Sequence, residues 1–219
     1  MDNLDSVIEN IEYARLSLSA HHIVQIVAVS KYSDSQAVES LYNLGQRAFG
    51  ENKVQDLESK MQTLEALPLE WHFMGNLQTN KINKLIDLSP DLVQSISSLS
   101  LAKEIEKRLA TKEANFNALL QINSANEESK GGVSADEAID IYQEIKETCP
   151  HIQLQGVMSI GAHSEDKSLI EKSFKTTHTL YESLQKEGAT ICSMGMSSDY
   201  ELAIRMGSNM VRLGSVLFK

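Results

Sequence analysis

Lys31 ends an apolar run, Ile23-Val24-Gln25-Ile26-Val27-Ala28-Val29, and a lysine in that place is a candidate nucleophile. An amine at the end of a buried strand is expected to be partly desolvated. Desolvation disfavours the charged form, lowers the pKa and enlarges the neutral fraction able to attack a carbonyl carbon. A second candidate lies near the other end of the chain, in Val211-Arg212-Leu213-Gly214-Ser215-Val216. There a strand is expected to turn at the glycine into one helical turn, leaving the exposed N–H groups of Gly214 and Ser215 to suit a phosphate. The hydroxyls of Ser197 and Ser198, after the preceding strand, could join them. Each feature also has a plainer reading: a solvated lysine, a helix cap at Ser198 and a tight turn at Gly214, and position alone favours these.

These groups matter only if strands bring them to one end of a sheet. Leu4, Val7, Ile8, Ile11 and Leu18 recur at helical spacing with Glu9, Glu12 and Arg15 between them, which predicts an opening amphipathic helix. The run at 23–29 is β-branched and apolar almost throughout, as in strands buried on both faces. The same alternation recurs, with apolar runs at 47–50, 71–74, 92–96, 118–122, 153–160, 190–194 and 210–218. Helices are expected to begin near Asp34, Lys53, Thr79, Ser98, Ser134, Asp166 and Ser198. Ser134 with Glu137, and Ser198 with Glu201, read as capping boxes, and Gly45, Gly188 and Gly207 fall where helices should stop. Pro68, Pro90 and Pro150 each precede a predicted strand. Eight strands alternating with helices fit an open doubly wound sheet or a closed barrel, and the count favours a single-domain (β/α)8 barrel over residues 1–219. In such a barrel, chemistry sits at the C-terminal strand ends, here Lys31, Asn52, Gly75, Ser97, Asn123, Gly161, Ser197 and Gly214.

Composition narrows the function. A chain of 219 residues, 42% hydrophobic and 23% charged, has the balance of a folded domain and not of a disordered or fibrous protein. A formal net charge of -10 argues against a nucleic-acid surface. No apolar run reaches the roughly 20 residues of a membrane span, and the acidic start Met1-Asp2-Asn3-Leu4-Asp5 is unlike a signal peptide, so a cytoplasmic protein is expected. Cys149 and Cys192 lack ligand or disulfide spacing and read as packing residues. The histidines at 21, 22, 72, 151, 163 and 178 show no metal-ligand spacing apart from the adjacent His21-His22, which reads as surface, so no metal is expected. Met194 and Met196 read as core fillers. The chain has no Gly-x-Ser-x-Gly elbow, Walker loop or Gly-x-Gly-x-x-Gly fingerprint.

Several longer motifs occur together in order: Ala28-Val29-Ser30-Lys31, Phe49-Gly50-Glu51-Asn52-Lys53-Val54-Gln55, Trp71-His72-Phe73-Met74-Gly75, Ser193-Met194-Gly195-Met196-Ser197 and Val211-Arg212-Leu213-Gly214-Ser215. With Leu77-Gln78-Thr79-Asn80-Lys81 and the loop at 123–132 that carries Glu127, Glu128 and Lys130, they span nearly the whole chain. This set closely resembles the pyridoxal phosphate homeostasis protein family, whose members are similar to the barrel domain of alanine racemase. The resemblance implies that Lys31 is the Schiff-base lysine for pyridoxal 5'-phosphate (PLP) and that Asn52 lies beside the cofactor ring. It implies that Arg212 meets the pyridine nitrogen, and that Ser197, Gly214 and Ser215 contact the phosphate. His72 belongs to a family motif without a defined role, and a buried core histidine is an equal reading. Asn76 and Ser215 stand where proline and threonine are usual, and the chain stops at Lys219 directly after the last strand, which leaves little to cover the pocket.

The implied chemistry is that of a cofactor holder. Arg212 is a permanent cation and only a donor, so it favours an unprotonated ring nitrogen and weakens the electron sink. A racemase with such a ring needs two placed bases, and at 219 residues there is no room for the extra β-domain that supplies one in alanine racemase; His72 and Tyr32 are the only candidates within the barrel. The expected function is therefore reversible PLP binding in vitamin B6 homeostasis without efficient catalysis, by a monomer whose partners are PLP, amino acids and PLP-dependent acceptor enzymes. A minimal PLP-dependent amino-acid racemase or decarboxylase, and a barrel that binds a phosphorylated metabolite noncovalently, are the rival readings.

Overall fold

The alternation of apolar runs and amphipathic stretches resolves into strands and helices in the computed structural model, which describes residues 2–127 and 130–218. In chain order the elements are α1 (Asp2–Leu16), β1 (Gln25–Val29), α2 (Ser35–Asn43), β2 (Ala48–Glu51), α3 (Val54–Thr63), β3 (Glu70–Phe73), α4 (Ile82–Leu88), β4 (Leu92–Ile96), α5 (Leu99–Lys112), β5 (Phe116–Asn123), β6 (Val133–Ser134), α6 (Ala138–Thr148), β7 (Ile152–Ser159), α7 (Lys167–Leu184), β8 (Ile191–Met196), α8 (Tyr200–Arg205) and β9 (Met210–Leu213). The sheet order is β4-β3-β2-β1-β9-β8-β7-β5-β6, and a further β4–β5 pairing closes it. All the pairings are parallel, so the fold is an eight-stranded barrel with β6 as a short extra strand on β5. The expected (β/α)8 architecture is what the chain adopts.

Strand alternation explains two separate apolar clusters. Ala28, Phe49, Phe73, Val93, Ala118, Leu120 and Val157 face outward and join the helices in the larger cluster. Their strand neighbours Val27, Ala48, Leu92, Leu119, Met158 and Met210 form a smaller one inside the barrel. The helices bury one stripe each: Leu57 of α3, Leu85 of α4, and Ile105 and Leu109 of α5 are all fully enclosed. Each such side chain contributes about 1.5–3 kcal/mol relative to an exposed one.

Several helix starts follow the predicted caps. The carboxylate of Asp34 accepts from Ala37 N–H, the hydroxyl of Ser98 from Leu101 N–H, and the carboxylate of Asp166 from Ser168 N–H. Gly45, Gly188 and Gly207 take φ of +106°, +94° and +97°, as residues that stop helices do. Neither predicted capping box forms. Ser134 lies in β6 and donates to the Glu137 carboxylate, and α6 begins only at Ala138. Ahead of α8, Asp199 spends its carboxylate on Met196 N–H and Ser198 is exposed. Hydrophobicity overshot pairing in three places. Ile23 is 81% exposed before β1 begins, Ile8 misses the face of α1 that Leu4, Val7, Ile11 and Ala14 bury, and Leu18 lies beyond the end of that helix at Leu16. The last strand ends at Leu213 because the chain turns at Gly214.

Candidate functional site at the barrel mouth

The nominated residues do sit at or just past the C-terminal strand ends. Lys31 is in a turn closed by Ser33 N–H on Ser30 O at 2.8 Å. It is exposed, and its Nζ lies 5.0 Å from the centroid of the Tyr32 ring. The expected desolvation is therefore not found: the turn carries Lys31 past the packed part of β1 and into the open mouth. The residue before it is fixed instead. Ser30 is fully buried, donates its hydroxyl to Glu51 Oε1 at 2.6 Å, and accepts from Lys60 Nζ on its carbonyl at 2.6 Å.

β9 runs beside β1, with Val27 opposite Arg212 and Ala28 opposite Leu213. Gly214 consequently lies against Val29, two residues from Lys31; a side chain there would sit 3.4 Å from the Val29 carbonyl. The sequence had suggested a free Gly214 N–H, but it donates to Ser197 Oγ at 3.1 Å. This bond joins two of the nominated phosphate residues and leaves the Ser197 hydroxyl proton available. After Gly214 the chain makes one turn, with Leu217 and Phe218 N–H both on Gly214 O, at 2.9 and 3.2 Å. The N–H groups of Ser215 and Val216, at the start of that turn, have no acceptor among the described residues. Asn52 is half-buried, its amide likewise without a partner among the described residues. It touches the next strand end closely, since a Cβ on Gly75 would lie 1.9 Å from the Asn52 carbonyl oxygen.

Arg212 is the buried cation of the site, 5% exposed. Its Nη1 donates to the carbonyl and hydroxyl of Ser193 at 2.9 and 2.8 Å, and its Nη2 to Ser159 O at 2.8 Å. Burial pushes its guanidinium down to about 10, which leaves it charged at neutral pH, and Asp199 and Cys192 act in the opposite direction. The Asp199 carboxyl is pushed up by its own burial, against the Met196 N–H bond and the attraction of Arg212. Three of the five guanidinium N–H groups are thus used, leaving two.

His72 is fully enclosed, between the Glu70 carboxylate at 2.8 Å and the Gln94 amide at 2.8 Å. Tyr32, the other base considered, is 90% exposed. Of the two methionines beside Gly195, Met194 is core but Met196 is 37% exposed at the mouth. On the β5 side, Asn123 bonds the backbone of Glu127 and Lys130, while Lys130 Nζ reaches Glu127 Oε1 at 3.0 Å and Gly161 O at 2.6 Å. Glu128 lies outside the described residues. Ser193, Gln94, Ser159, Asp199, Glu51 and Lys60 were not singled out as site residues by the sequence. The Gln94-Ser95 pair inside the apolar run Leu92-Val93-Gln94-Ser95-Ile96 was the available signal, because a polar pair in a strand buried on both faces demands partners.

The model of the alanine racemase N-terminal domain matches residues 3–219. The pyridoxal phosphate homeostasis protein of Helicobacter pylori is 56% identical over 216 residues, which cover 99% of this chain and 96% of that protein. The chain belongs to the pyridoxal phosphate homeostasis protein family. A solved structure of an unknown protein from Bifidobacterium adolescentis superposes on this family member with a TM-score of 0.91 at 30% identity, over 99% of this chain and 93% of that one. PipY of Synechococcus elongatus, solved with PLP bound, gives a TM-score of 0.80 at 29% identity, over 95% of this chain and 100% of that one.

Proposed function

We propose that this protein binds PLP at the barrel mouth, covalently through Lys31, and carries it for intracellular vitamin B6 homeostasis without efficient catalysis. The observation that carries the reading is the pairing of β1 with β9, which sets Lys31, Arg212 and the Gly214 turn on adjacent strands. The donor set fits the cofactor. Arg212 keeps two N–H groups for an acceptor, as an unprotonated ring nitrogen requires. The Ser197 hydroxyl and the N–H groups of Ser215 and Val216 offer donors to a phosphate, the Gly214 N–H being held by Ser197. Asn52 brings an uncommitted amide to the ring's side. When bound, PLP supplies an aldehyde and a conjugated ring able to draw electrons from an attached amine.

The chain's own residues do the holding. Lys31, exposed in its turn, is accessible to an aldehyde and to incoming amines, which favours reversible attachment over a sealed active site. The non-catalytic role is supported by the state of the two candidates for a second base. Both ring nitrogens of His72 are committed to Glu70 and Gln94. Tyr32 stands in solvent. The partners we propose are PLP, amino acids that compete for it, and PLP-dependent enzymes that accept it, with the protein working as a monomer in the cytoplasm; the free, buried Cys149 and Cys192 suit a reducing compartment.

The test is an absorbance spectrum of purified protein mixed with PLP, followed by borohydride reduction and peptide mass spectrometry. A visible band and a reduced adduct on Lys31, both lost in Lys31→Ala, are expected. A colourless native mixture with no adduct would favour noncovalent binding of a phosphorylated metabolite instead.

A further inference from the structure

The polar side chains that cross the barrel interior form one chain of hydrogen bonds in which every donor points the same way. Arg212 Nη1 donates to Ser193 Oγ at 2.8 Å, and the Ser193 hydroxyl donates to Gln94 Oε1 at 2.7 Å. Gln94 Nε2 meets His72 Nδ1 at 2.8 Å, and His72 Nε2 meets Glu70 Oε1 at 2.8 Å. The two ends dictate the direction, since a guanidinium only donates and a carboxylate only accepts. The Ser193 hydroxyl accepts from Arg212 and has Gln94 Oε1 as the acceptor for its own proton among the described residues, so it donates to the Gln94 oxygen. The Gln94 NH2 then faces His72, whose Nδ1 must be the bare acceptor and whose proton must sit on Nε2. At the far end Gln25 Nε2 donates to both Glu70 oxygens, at 3.1 and 3.2 Å.

His72, Gln94 and Ser193 are fully buried. Apolar side chains would fill this space, as Val27, Leu92 and Leu119 do beside them, and a buried polar chain stabilises a fold little by comparison. What aligned hydrogen bonds do provide is mutual polarisation and a single allowed orientation for every member. Arg212 is the member that reaches the mouth.

We propose that Gln94 and His72 are positioning residues for Arg212: through Ser193 they fix the rotation of the guanidinium, and so the direction of its two uncommitted N–H groups. This rests on the assignment of PLP to the mouth made above. Position 94 must both accept from Ser193 and donate to His72, which the amide does without any change of protonation. Gln94→Met removes both capacities at similar volume. Gln94→Glu keeps the acceptor but can satisfy His72 only if one more proton is taken up between the new carboxyl and the imidazole.

The experiment combines PLP titration, followed by the visible spectrum, with 15N NMR of the histidine and arginine side chains in cofactor-free protein. In the native protein His72 is expected as the neutral Nε2–H tautomer, with slowly exchanging Arg212 guanidinium protons. Gln94→Met should accelerate that exchange, weaken PLP binding about tenfold and shift the visible band, with Lys31 still tagged by borohydride. Gln94→Glu should shift the His72 15N signals as the pair takes up that proton, and return affinity to within about threefold of native. If Gln94→Met does not fold, Ser193→Ala breaks the same chain one link nearer Arg212 and carries the same expectations. A native His72 protonated on Nδ1 overturns the proposal, as does a Gln94→Met protein that melts lower yet keeps native PLP affinity, spectrum and arginine exchange. Absence of a Lys31 adduct in native protein is a different failure, that of the PLP reading. The cofactor-free arginine exchange still decides whether the chain orients Arg212.

Discussion

Lys60 and Glu51 form a buried ion pair directly behind the residue that precedes Lys31. The ammonium is shared between Glu51 Oε1 and the Ser30 carbonyl, and the Ser30 hydroxyl closes the triangle on the same carboxylate oxygen. Glu51 Oε2 has no partner among the described residues. Removing the cation alone would strand a carboxylate with no exposure. Lys60→Met is therefore expected to cost about 3–5 kcal/mol in urea denaturation, whereas Lys60→Met with Glu51→Leu should recover most of it. The paired substitution should also loosen the turn that carries Lys31, seen as faster amide exchange at Ser33. Equal stability losses in the single and double variants would contradict this account.

Gly75 and Asn52 give a second prediction, one of shape. A Cβ at position 75 would lie 1.9 Å from the Asn52 carbonyl oxygen and 2.6 Å from its carbon, both rigid backbone. Gly75→Ala must push the Asn52 segment aside, so PLP affinity should fall about tenfold while Lys31 remains reactive toward borohydride. The stability loss should be about 1–3 kcal/mol by thermal melting, the range of overpacking in a dense interior. An unchanged affinity would remove Asn52 from the site.

The barrel was readable because strands buried on both faces leave an unusual record: runs such as Ile26-Val27-Ala28-Val29 carry no alternation, and each is followed by an amphipathic helix. Boundaries were readable only where a side chain caps the backbone, as at Asp34 and Ser98, and were misplaced where hydrophobicity continued beyond pairing, as at Ile23. Lys31, Asn52, Ser197 and Gly214 were nominated by strand-end position alone. The role of Arg212 came from the resemblance, because nothing local distinguishes a strand arginine that points inward. The interior chain from Arg212 to Glu70 was not legible: its members are scattered over β3, β4, β8 and β9, and only closure of the barrel makes them neighbours. The exposure of Lys31 was missed for the related reason that a turn, and not the strand, sets its surroundings.

Acid unfolding supplies a third prediction. The Glu70 carboxyl is held below its ordinary value first by the His72 N–H, with Gln25 adding to it and partial burial opposing. A carboxyl whose folded pKa is depressed binds fewer protons in the native state. Its contribution is fully present above the unfolded value, about 4.3, and is lost as pH falls through the folded one. Glu70→Gln should therefore be less stable than native protein at pH 6, with the gap narrowing between pH 5 and pH 3 in urea titrations. A gap that stayed constant with pH would show that the carboxylate is not what stabilises this end of the interior.

A fourth prediction concerns what the bound cofactor should fail to do. Removing the α-proton of an amino acid on PLP needs a ring that accepts electrons and a base placed at Cα. Arg212 is a donor with no proton to give up at neutral pH, so it suits the unprotonated ring nitrogen, the weaker acceptor. Lys31 is exposed in its turn, and the enclosed imidazole of His72 has neither nitrogen free, since Nε2 is held by Glu70 and Nδ1 by Gln94. Exchange of the alanine α-proton into deuterated water, followed by NMR, should accordingly run within about tenfold of the rate with free PLP, far below the millionfold or greater acceleration typical of an enzyme. Tyr32→Phe should leave that rate unchanged, because a phenol 90% exposed has no fixed position over a substrate. Exchange thousands of times faster than free PLP and lost in Tyr32→Phe would make the protein a catalyst and its exposed tyrosine the base.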